Sequence, residues 1–280
     1  MADLIPVNDA ITPSGKKRRS IRKWLNRLTL AVAILAPLTF ILAALGHKIG
    51  LIGTKLALLT LTFKVGPLLL ALSLILAIAS FIMAWAVKPR KGLVIAGIAA
   101  LIPLVGGAKI SKARAIGASL PTIHDITTDT QNPPVFGDVI LAERSALKRV
   151  NSIEYTGKKA PVKAADGTST EKLVSALQTK AYPQIRPLVL SDQPDTVFGR
   201  AQATAKSMGW NIKEEDVATG RIDATDTTFW YGFNDDITIR LRASEGGGTI
   251  VDVRSVSRVG RSDLGKNAAR ITEFLERLAE

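Results

Sequence analysis

Three apolar blocks near the N-terminus restrict what this chain can fold into. They cover residues 28–45, 66–87 and 92–110, and the middle one, GPLLLALSLILAIASFIMAWAV, contains 22 residues without a charge. A bilayer core about 30 Å thick requires about 20 such residues as helix, and a helix satisfies its own backbone groups in lipid. We therefore predict a transmembrane α-helical region at 28–110, followed by a soluble domain.

The segment between the first two blocks decides how many times the chain crosses the membrane. It is apolar but contains His47, Lys48, Lys55 and Lys64. An ionisable residue at the centre of a bilayer is costly, so we predict an interfacial helix at 49–64 rather than a span. The alternative is a fourth span that contains Lys55.

The distribution of basic residues then predicts the orientation. Residues 1–27 form a basic tail with seven Lys and Arg. With three spans, ten basic residues lie on the side of this tail and six on the other, which makes the tail cytoplasmic. With four spans, the KPRK loop would move outside, against the same rule. We predict a multi-pass protein of the bacterial inner membrane with a periplasmic C-terminal domain.

The net charge of +13 comes from the membrane part. Residues 1–121 contain 16 Lys and Arg and two acids, whereas residues 122–280 contain 21 Lys and Arg and 22 acids. A nearly neutral domain does not have the basic surface that neutralises phosphates, so we expect no nucleic acid partner. The absence of cysteine from the sequence excludes disulfides, thiolate metal ligands and a Cys nucleophile.

The chain after the apolar blocks divides into a linker and a domain. We predict a linker at 111–136, because PTIHDITTDTQNPPVF combines prolines with turn-forming residues. The soluble domain then covers 137–280. Its first recognisable element is a short helix at 169–181, where Thr168 and Glu171 have the spacing of a capping box.

The rest of the domain alternates regularly between strand and helix patterns. Ile237, Ile239 and Leu241 alternate with polar residues, which predicts one buried and one wet face, with Arg240 near Asp252 on the wet face. The order β-α-β-β-β-β-α predicts an α+β fold, an antiparallel sheet with helices on one face. The predicted strands cover 185–190, 210–217, 220–228, 236–243 and 248–257, and the helices cover 194–208 and the stretch from Ser262 onward.

Five segments of this domain resemble the bacterial, membrane-anchored domain of unknown function family 1499. They are IHDITTDTQNPPVF, AYPQIRPLVL, the helix that ends in MGW, GRIDATDTTFWYGFNDDI and DVRSVSRVGRSDLGKNAARI. The resemblance covers residues 122–280 and supports the domain boundaries. It implies no activity, catalytic residue or cofactor.

A cluster of aromatic residues is the first candidate binding feature. Phe229, Trp230, Tyr231 and Phe233 place four rings in five positions, and Gly232 indicates a turn among them. They could form the wall of an apolar ligand pocket or a tip that enters the lipid headgroup layer. The alternative, which we weigh as the stronger, is that the rings cap the core of the sheet.

An arginine-rich segment at the start of the last helix is the second candidate. Arg254, Arg258 and Arg261 precede a helix start at Ser262, where free backbone N–H groups could hold a phosphate or a lipid headgroup. The alternative is an ordinary cap at Ser262, with the arginines paired to aspartates.

Catalytic and metal-binding patterns are weak. Asp235 and Asp236 are neighbours on a predicted strand and point to opposite faces, so we expect solvated acids in a turn rather than a metal site. His47 and His124 are the only histidines, which excludes a histidine metal cluster and a Ser-His-Asp triad. We expect His124 to be a linker residue, and we predict no catalytic residue, metal or cofactor.

We therefore favour a non-enzymatic membrane protein whose extracytoplasmic domain binds a lipid, an apolar ligand or an envelope protein. The bilayer itself is then its first partner. Two alternatives remain open. One is an envelope enzyme that acts on lipid or cell-wall material through Asp and Arg chemistry, and the other is a structural subunit of a membrane complex.

Overall fold

The computed structural model describes residues 13–88, 90–164 and 166–280. The chain divides into two compact units, Met1–Arg114 and Ala115–Glu280. The first contains the apolar helices, and the second contains a sheet with its own core.

The first unit is built from long helices. Helix α1 is Pro13–Lys48, a wide π-helical segment is Lys55–Val65, α2 is Gly66–Ala86 and α3 is Leu93–Ser119. Three helical stretches of the described residues are long and apolar enough to cross a membrane: Gly15–Lys48, Lys55–Ala86 and Leu93–Ser119. The sequence prediction of three membrane-spanning helices agrees with these elements.

Small side chains bring α1 and α2 into close contact. Ser73, Ala77 and Ser80 follow each other at helical spacing on the buried face of α2. The hydroxyls of Thr29 and Ser80 are 2.6 Å apart. Side chains of this size let two helix backbones approach closely, and hydroxyl pairs join helices where water is absent.

The predicted interfacial helix at 49–64 corresponds to a helical segment that is not separate from the second span. Lys55–Val65 runs directly into α2, and the N–H of Gly66 donates to the carbonyl of Leu61. The two together form one helical stretch of 32 residues. That its first part lies at the membrane interface stays a prediction.

In the part of the second unit that the structure describes, the complete elements are eight strands and four helices. The strands are β1 Asp125–Thr127, β2 Lys159–Lys163, β3 Ser169–Leu173, β4 Leu188–Leu190, β5 Asn211–Asp216, β6 Arg221–Thr227, β7 Asn234–Ala243 and β8 Thr249–Ser257. The helices are α4 Asp138–Ser145, α5 Val174–Ala181, α6 Pro194–Ser207 and α7 Lys266–Ala279.

Six of the strands form one antiparallel sheet, and five of them follow the order β1-β8-β7-β6-β5. Strand β4 also pairs with β8, on residues Val251 to Thr249, whereas β1 pairs with the other end of β8. The predicted α+β class, with its order β-α-β-β-β-β-α from β4 to α7, is confirmed. Arg240 and Asp252 lie opposite each other, as the predicted hairpin requires.

The main core lies between one face of the sheet and helices α6 and α7. The alternating apolar residues of β7 point into it, together with Val197 and Ala201 of α6. The ring of Phe274 in α7 stacks on Trp210, with 5.1 Å between the ring centroids. Each of the two helices, α6 and α7, therefore buries the apolar face that its periodicity predicts against the strands.

The other face of the sheet is not wet, which corrects the sequence prediction. Asp236, Thr238 and Asp252 are fully buried there. Residues 128–137 cross over this face, and the carbonyl of Asn132 accepts a hydrogen bond from Arg240 at 2.9 Å. Alternation in a sequence identifies two faces, but it does not say whether another segment covers the polar one.

The covering segment also changes the limits of the domain. Residues 125–136 belong to the folded unit rather than to a linker, because β1 is hydrogen-bonded to β8 and the next residues lie on the sheet. Phe136 of this segment and Ile140 of α4 pack with Val256 in a small second core. Prolines in this stretch keep it extended, which suits a segment that crosses strands.

The predicted helix at 169–181 is correct only in its second half. Residues 169–173 form β3, which pairs with β2, and α5 begins at Val174. The hydroxyl of Thr168 donates to Asp166 at 2.6 Å, within the turn between the two strands. Thr168 therefore closes a hairpin turn, and the capping-box spacing is coincidental.

We expect Phe274→Ala to destabilise the domain by about 3–5 kcal/mol, because it removes a fully buried ring and its stacking on Trp210. Urea denaturation of the detergent-solubilised full chain, followed by tryptophan fluorescence, measures this change. Phe229→Ala is the matched control, since Phe229 is 75% exposed and its loss should change stability by less than about 0.5 kcal/mol. Equal effects of the two substitutions would contradict the assigned core.

Candidate functional site

The four aromatic residues lie in a closed loop between β6 and β7. The N–H of Thr228 donates to the carbonyl of Phe233 at 2.8 Å, and the hydroxyl of Thr228 accepts from the N–H of Phe233 at 2.8 Å. Gly232 has a φ of +67°, which favours glycine. The backbone of this aromatic loop, residues 228–233, is thus fixed by its own hydrogen bonds.

Two of the four rings of the aromatic loop point outward. Phe229 is 75% exposed and Trp230 is 59% exposed, and the two pack edge to face with centroids 5.2 Å apart. Tyr231 and Phe233 are half-buried and stack on each other at 5.5 Å. Phe229 and Trp230 do not cap the sheet core, so the alternative that we weighed as stronger does not describe them. The protruding tip agrees with the geometry.

The aromatic loop lies at the end of the sheet where the chain enters the domain. The N–H of Ser257 donates to the carbonyl of His124, immediately before β1, and Ser257 pairs with Asp235 at the base of the loop. The N–H of Arg258 donates to the carbonyl of Asn234 at 3.0 Å. The chain that follows α3 and the aromatic loop therefore share one end of the sheet.

The three arginines of the second candidate site are not brought together. Arg254 is buried, and its guanidinium donates to both carboxylate oxygens of Asp125, at 3.0 and 2.9 Å. Arg258 is buried on Asp236. Arg261 is exposed, and its side chain has no partner among the described residues. The alternative in which the arginines pair with aspartates holds for Arg254 and Arg258.

Arg258 belongs to a charged cluster in which Asp236 and Arg144 are buried and Glu143, which also pairs with Lys213, is partly exposed. Its guanidinium donates to Asp236 at 2.7 Å and to Glu143 of α4 at 2.6 Å. Arg144 donates to the other oxygen of Asp236 at 2.5 Å. Burial alone lowers the pKa of Arg258, but the hydrogen bonds to Asp236 and Glu143 outweigh it and raise that pKa. The cluster joins α4 to the sheet and leaves Arg258 unavailable to a ligand.

The start of the last helix also differs from the prediction. Helix α7 begins at Lys266, after Gly265 with a φ of +80°, and not at Ser262. The carboxylate of Asp263 accepts the N–H groups of Gly265 and Asn267, both at 2.9 Å. Asp263 thus occupies the backbone donors that a phosphate would need, while the hydroxyl of Ser262 accepts the N–H of Leu264.

Asp235 and Asp236 at the start of β7 point to opposite faces of the strand, as predicted, but they are not exposed to solvent in a turn. Asp235 pairs with Arg270 of α7 at 2.7 Å, while Asp236 faces the opposite side of the sheet. Both are buried rather than solvated. Within residues 13–88, 90–164 and 166–280, no group of three or more His, Asp or Glu side chains is arranged to hold a metal ion.

A cleft that sequence reasoning missed lies at the same end of the sheet. Its volume is 330 Å³, and its polar lining includes His124, Lys158 and Arg261. These residues come from three separate stretches of the sequence, which is why spacing could not identify them. His124, which we expected in a linker, is half-buried and contacts Lys158. A lone histidine just before a strand is the one signal that the sequence offered.

The family comparison agrees with the extent of the folded unit. A model described as Protein of unknown function (DUF1499) matches residues 125–278, from the first residue of β1 to the last turn of α7. No curated protein matches the sequence significantly.

We expect Arg258→Ala to destabilise the domain by about 3–5 kcal/mol, because Asp236 would stay buried with only Arg144 as its ionic partner. Arg261→Ala removes the same side chain from an exposed position and should change stability by less than about 0.5 kcal/mol. Urea denaturation of the solubilised chain measures both. A marginal effect of Arg258→Ala would show that the cluster does not support the fold.

Proposed function

Since the chain belongs to the DUF1499 family, whose description gives no activity, we propose its function from the arrangement of its own residues. It is a membrane protein whose C-terminal domain binds the lipid surface through the aromatic loop. The observation that carries this function is the exposure of Phe229 and Trp230 at the end of the sheet where the chain enters the domain.

Chain connectivity supports contact between this loop and the membrane. Helix α3 ends at Ser119 and β1 begins at Asp125, so these residues are separated by at most about 21 Å of extended chain. Asp125 and Asp236 both pair with Val256. Neighbouring strands are about 4.8 Å apart, so the start of β1 lies about 10 Å from the base of the loop.

The composition of the aromatic loop also suits a lipid interface. Residues 227–234 contain no charged side chain, so their insertion would not require desolvation of a charge. Phe and Trp are large apolar side chains, and the indole N–H of Trp can still reach water or a headgroup. A ring that is exposed in the domain gains about 1.5–3 kcal/mol when it is fully buried in an apolar environment.

We further propose that the membrane is the bacterial inner membrane and that the domain is periplasmic. Three helical stretches of spanning length and the excess of basic residues in the tail support this orientation. A lipid, an apolar ligand and an envelope protein all remain candidate partners of the domain, and we favour lipid. An envelope enzyme and a structural subunit stay alternatives.

The contact with lipid is tested in the full chain, which has no cysteine. We expect an NBD fluorophore on Trp230→Cys, in the chain reconstituted in nanodiscs, to be quenched by lipids with nitroxide headgroups. The matched control is Glu245→Cys, which is exposed in the β7–β8 turn at the opposite end of the sheet and should not be quenched. A probe at position 230 that behaves like the control would exclude this function.

The orientation requires a different measurement. Gly246 is exposed in the same turn and has open space around its α-carbon, so Gly246→Cys should not disturb the fold. We expect a membrane-impermeant maleimide to label it in cells with a permeabilised outer membrane, and to leave Ser20→Cys in the basic tail unlabelled. Protection of Gly246→Cys until the inner membrane is lysed would place the domain in the cytoplasm.

A further inference from the structure

The cleft beside the chain entry has one apolar side. It is lined by Ile123, Ala160 and Val174, which belong to the main core and are each at most 6% exposed. Pro161 of β2 extends this side outward. The volume of 330 Å³ lies at the lower limit of ligand pockets, so an occupant would be small.

The other side of the cleft carries positive charge. Lys158 lies on the floor, with its side chain 17% exposed, and Lys159 and Arg261 line the rim. Among the described residues that line the cleft, Asp125 is the one acid, and both of its oxygens accept hydrogen bonds from buried Arg254. Because Arg254 already neutralises Asp125, the positive charge of Lys158 is not balanced by a carboxylate of its own.

Lys158 is held in place by two neutral acceptors and by a longer ion pair with Asp125. Its amine donates to the carbonyl of Ser152 at 2.9 Å and to Nε2 of His124 at 3.2 Å, and it lies 3.7 Å from Asp125. Nδ1 of His124 faces the carbonyl of Arg261 at 3.3 Å, which can only accept, so Nδ1 carries the proton. His124 therefore orients the lysine without adding charge to the cleft.

The pKa shifts of both residues agree with a cation that Asp125 compensates only in part. Burial lowers the pKa of His124, and the charge of Lys158 lowers it further. Burial also lowers the pKa of Lys158, and this effect exceeds the opposing attraction of Asp125. A negative group placed in the cleft would stabilise the charged form of Lys158 and relieve this cost.

We propose that the cleft binds an amphiphilic anion, with its phosphate or carboxylate between Lys158 and Arg261 and its apolar part against Ile123, Ala160 and Val174. The anion has two possible sources, a membrane phospholipid or a soluble compound with a short apolar chain. The site is independent of the aromatic loop, since none of the loop residues lines the cleft.

Isothermal titration calorimetry of the full chain in a neutral detergent tests the site with octyl phosphate. We expect binding to weaken about tenfold or more in Arg261→Ala, because one charged hydrogen bond is lost. Arg261 is exposed and its side chain has no described partner, so this variant should fold normally. Lys158→Gln should weaken binding similarly, and Lys206→Ala, an exposed cation on α6 away from the cleft, should bind like the unchanged chain.

Two further arms define the occupant. Inorganic phosphate should compete poorly, because it has no apolar part, and equal competition would overturn the assignment of an amphiphile. In nanodiscs, phosphatidylglycerol in place of phosphatidylcholine should weaken octyl phosphate binding if the source is the membrane, and should have no effect if it is soluble. Binding of octyl phosphate that Arg261→Ala and Lys158→Gln leave unchanged would overturn the site itself.

Discussion

The pairing of buried arginines with buried carboxylates closes the second face of the sheet, and the remaining architecture depends on it. Asp125, Asp236 and Asp252 lie fully buried on that face, where a carboxylate without a partner would lose several kcal/mol of solvation. Arg254 and Arg258 neutralise two of them and also contact the segments that cross the sheet, Pro134 through its carbonyl and α4 through Glu143. Charge pairing and covering of the sheet therefore require each other. The covering segments exclude water and strengthen the ion pairs, and the ion pairs offset the loss of hydration of the buried carboxylates.

The sequence was sufficient for the strands and helices whose apolar residues repeat regularly, and insufficient where contacts are distant. Strands β5 to β8 and helix α6 follow from local periodicity. Gly232 indicated a turn among the aromatic residues, but a cap on the sheet core was weighed as the stronger alternative, and the exposure of Phe229 and Trp230 is seen only in the structure. The polar face was misjudged because its partners lie far apart: Asp125 pairs with Arg254, which no local pattern connects. The cleft was missed for the same reason, since His124, Lys158 and Arg261 are distant in sequence and come together only in the tertiary structure. The second half of the predicted helix at 169–181 held, whereas a turn at Asp166 converted its first half into a strand.

One end of the sheet concentrates the features that can meet a ligand. The chain entry, the aromatic loop and the cleft lie there, whereas the β7–β8 turn at the other end is polar and glycine-rich. The apolar rings and the cationic cleft differ in chemistry and complement each other, because a lipid surface offers both acyl chains and anionic headgroups. The two proposed binding features of the domain thus lie at the end of the sheet where the chain enters it.

The pairing of β1 with β8 has a consequence for how the molecule is made. β1 leaves the ribosome directly after the last apolar helix, but its partner β8 is synthesised after every other strand of the sheet. The helices can insert and pack while translation continues, since their contacts are between neighbouring elements. The sheet cannot close until residues 249–257 have emerged, so its long-range pairing comes late. The sheet domain accordingly stays unfolded after the apolar helices have packed. Asp125 remains hydrated until Arg254 has been synthesised and can pair with it.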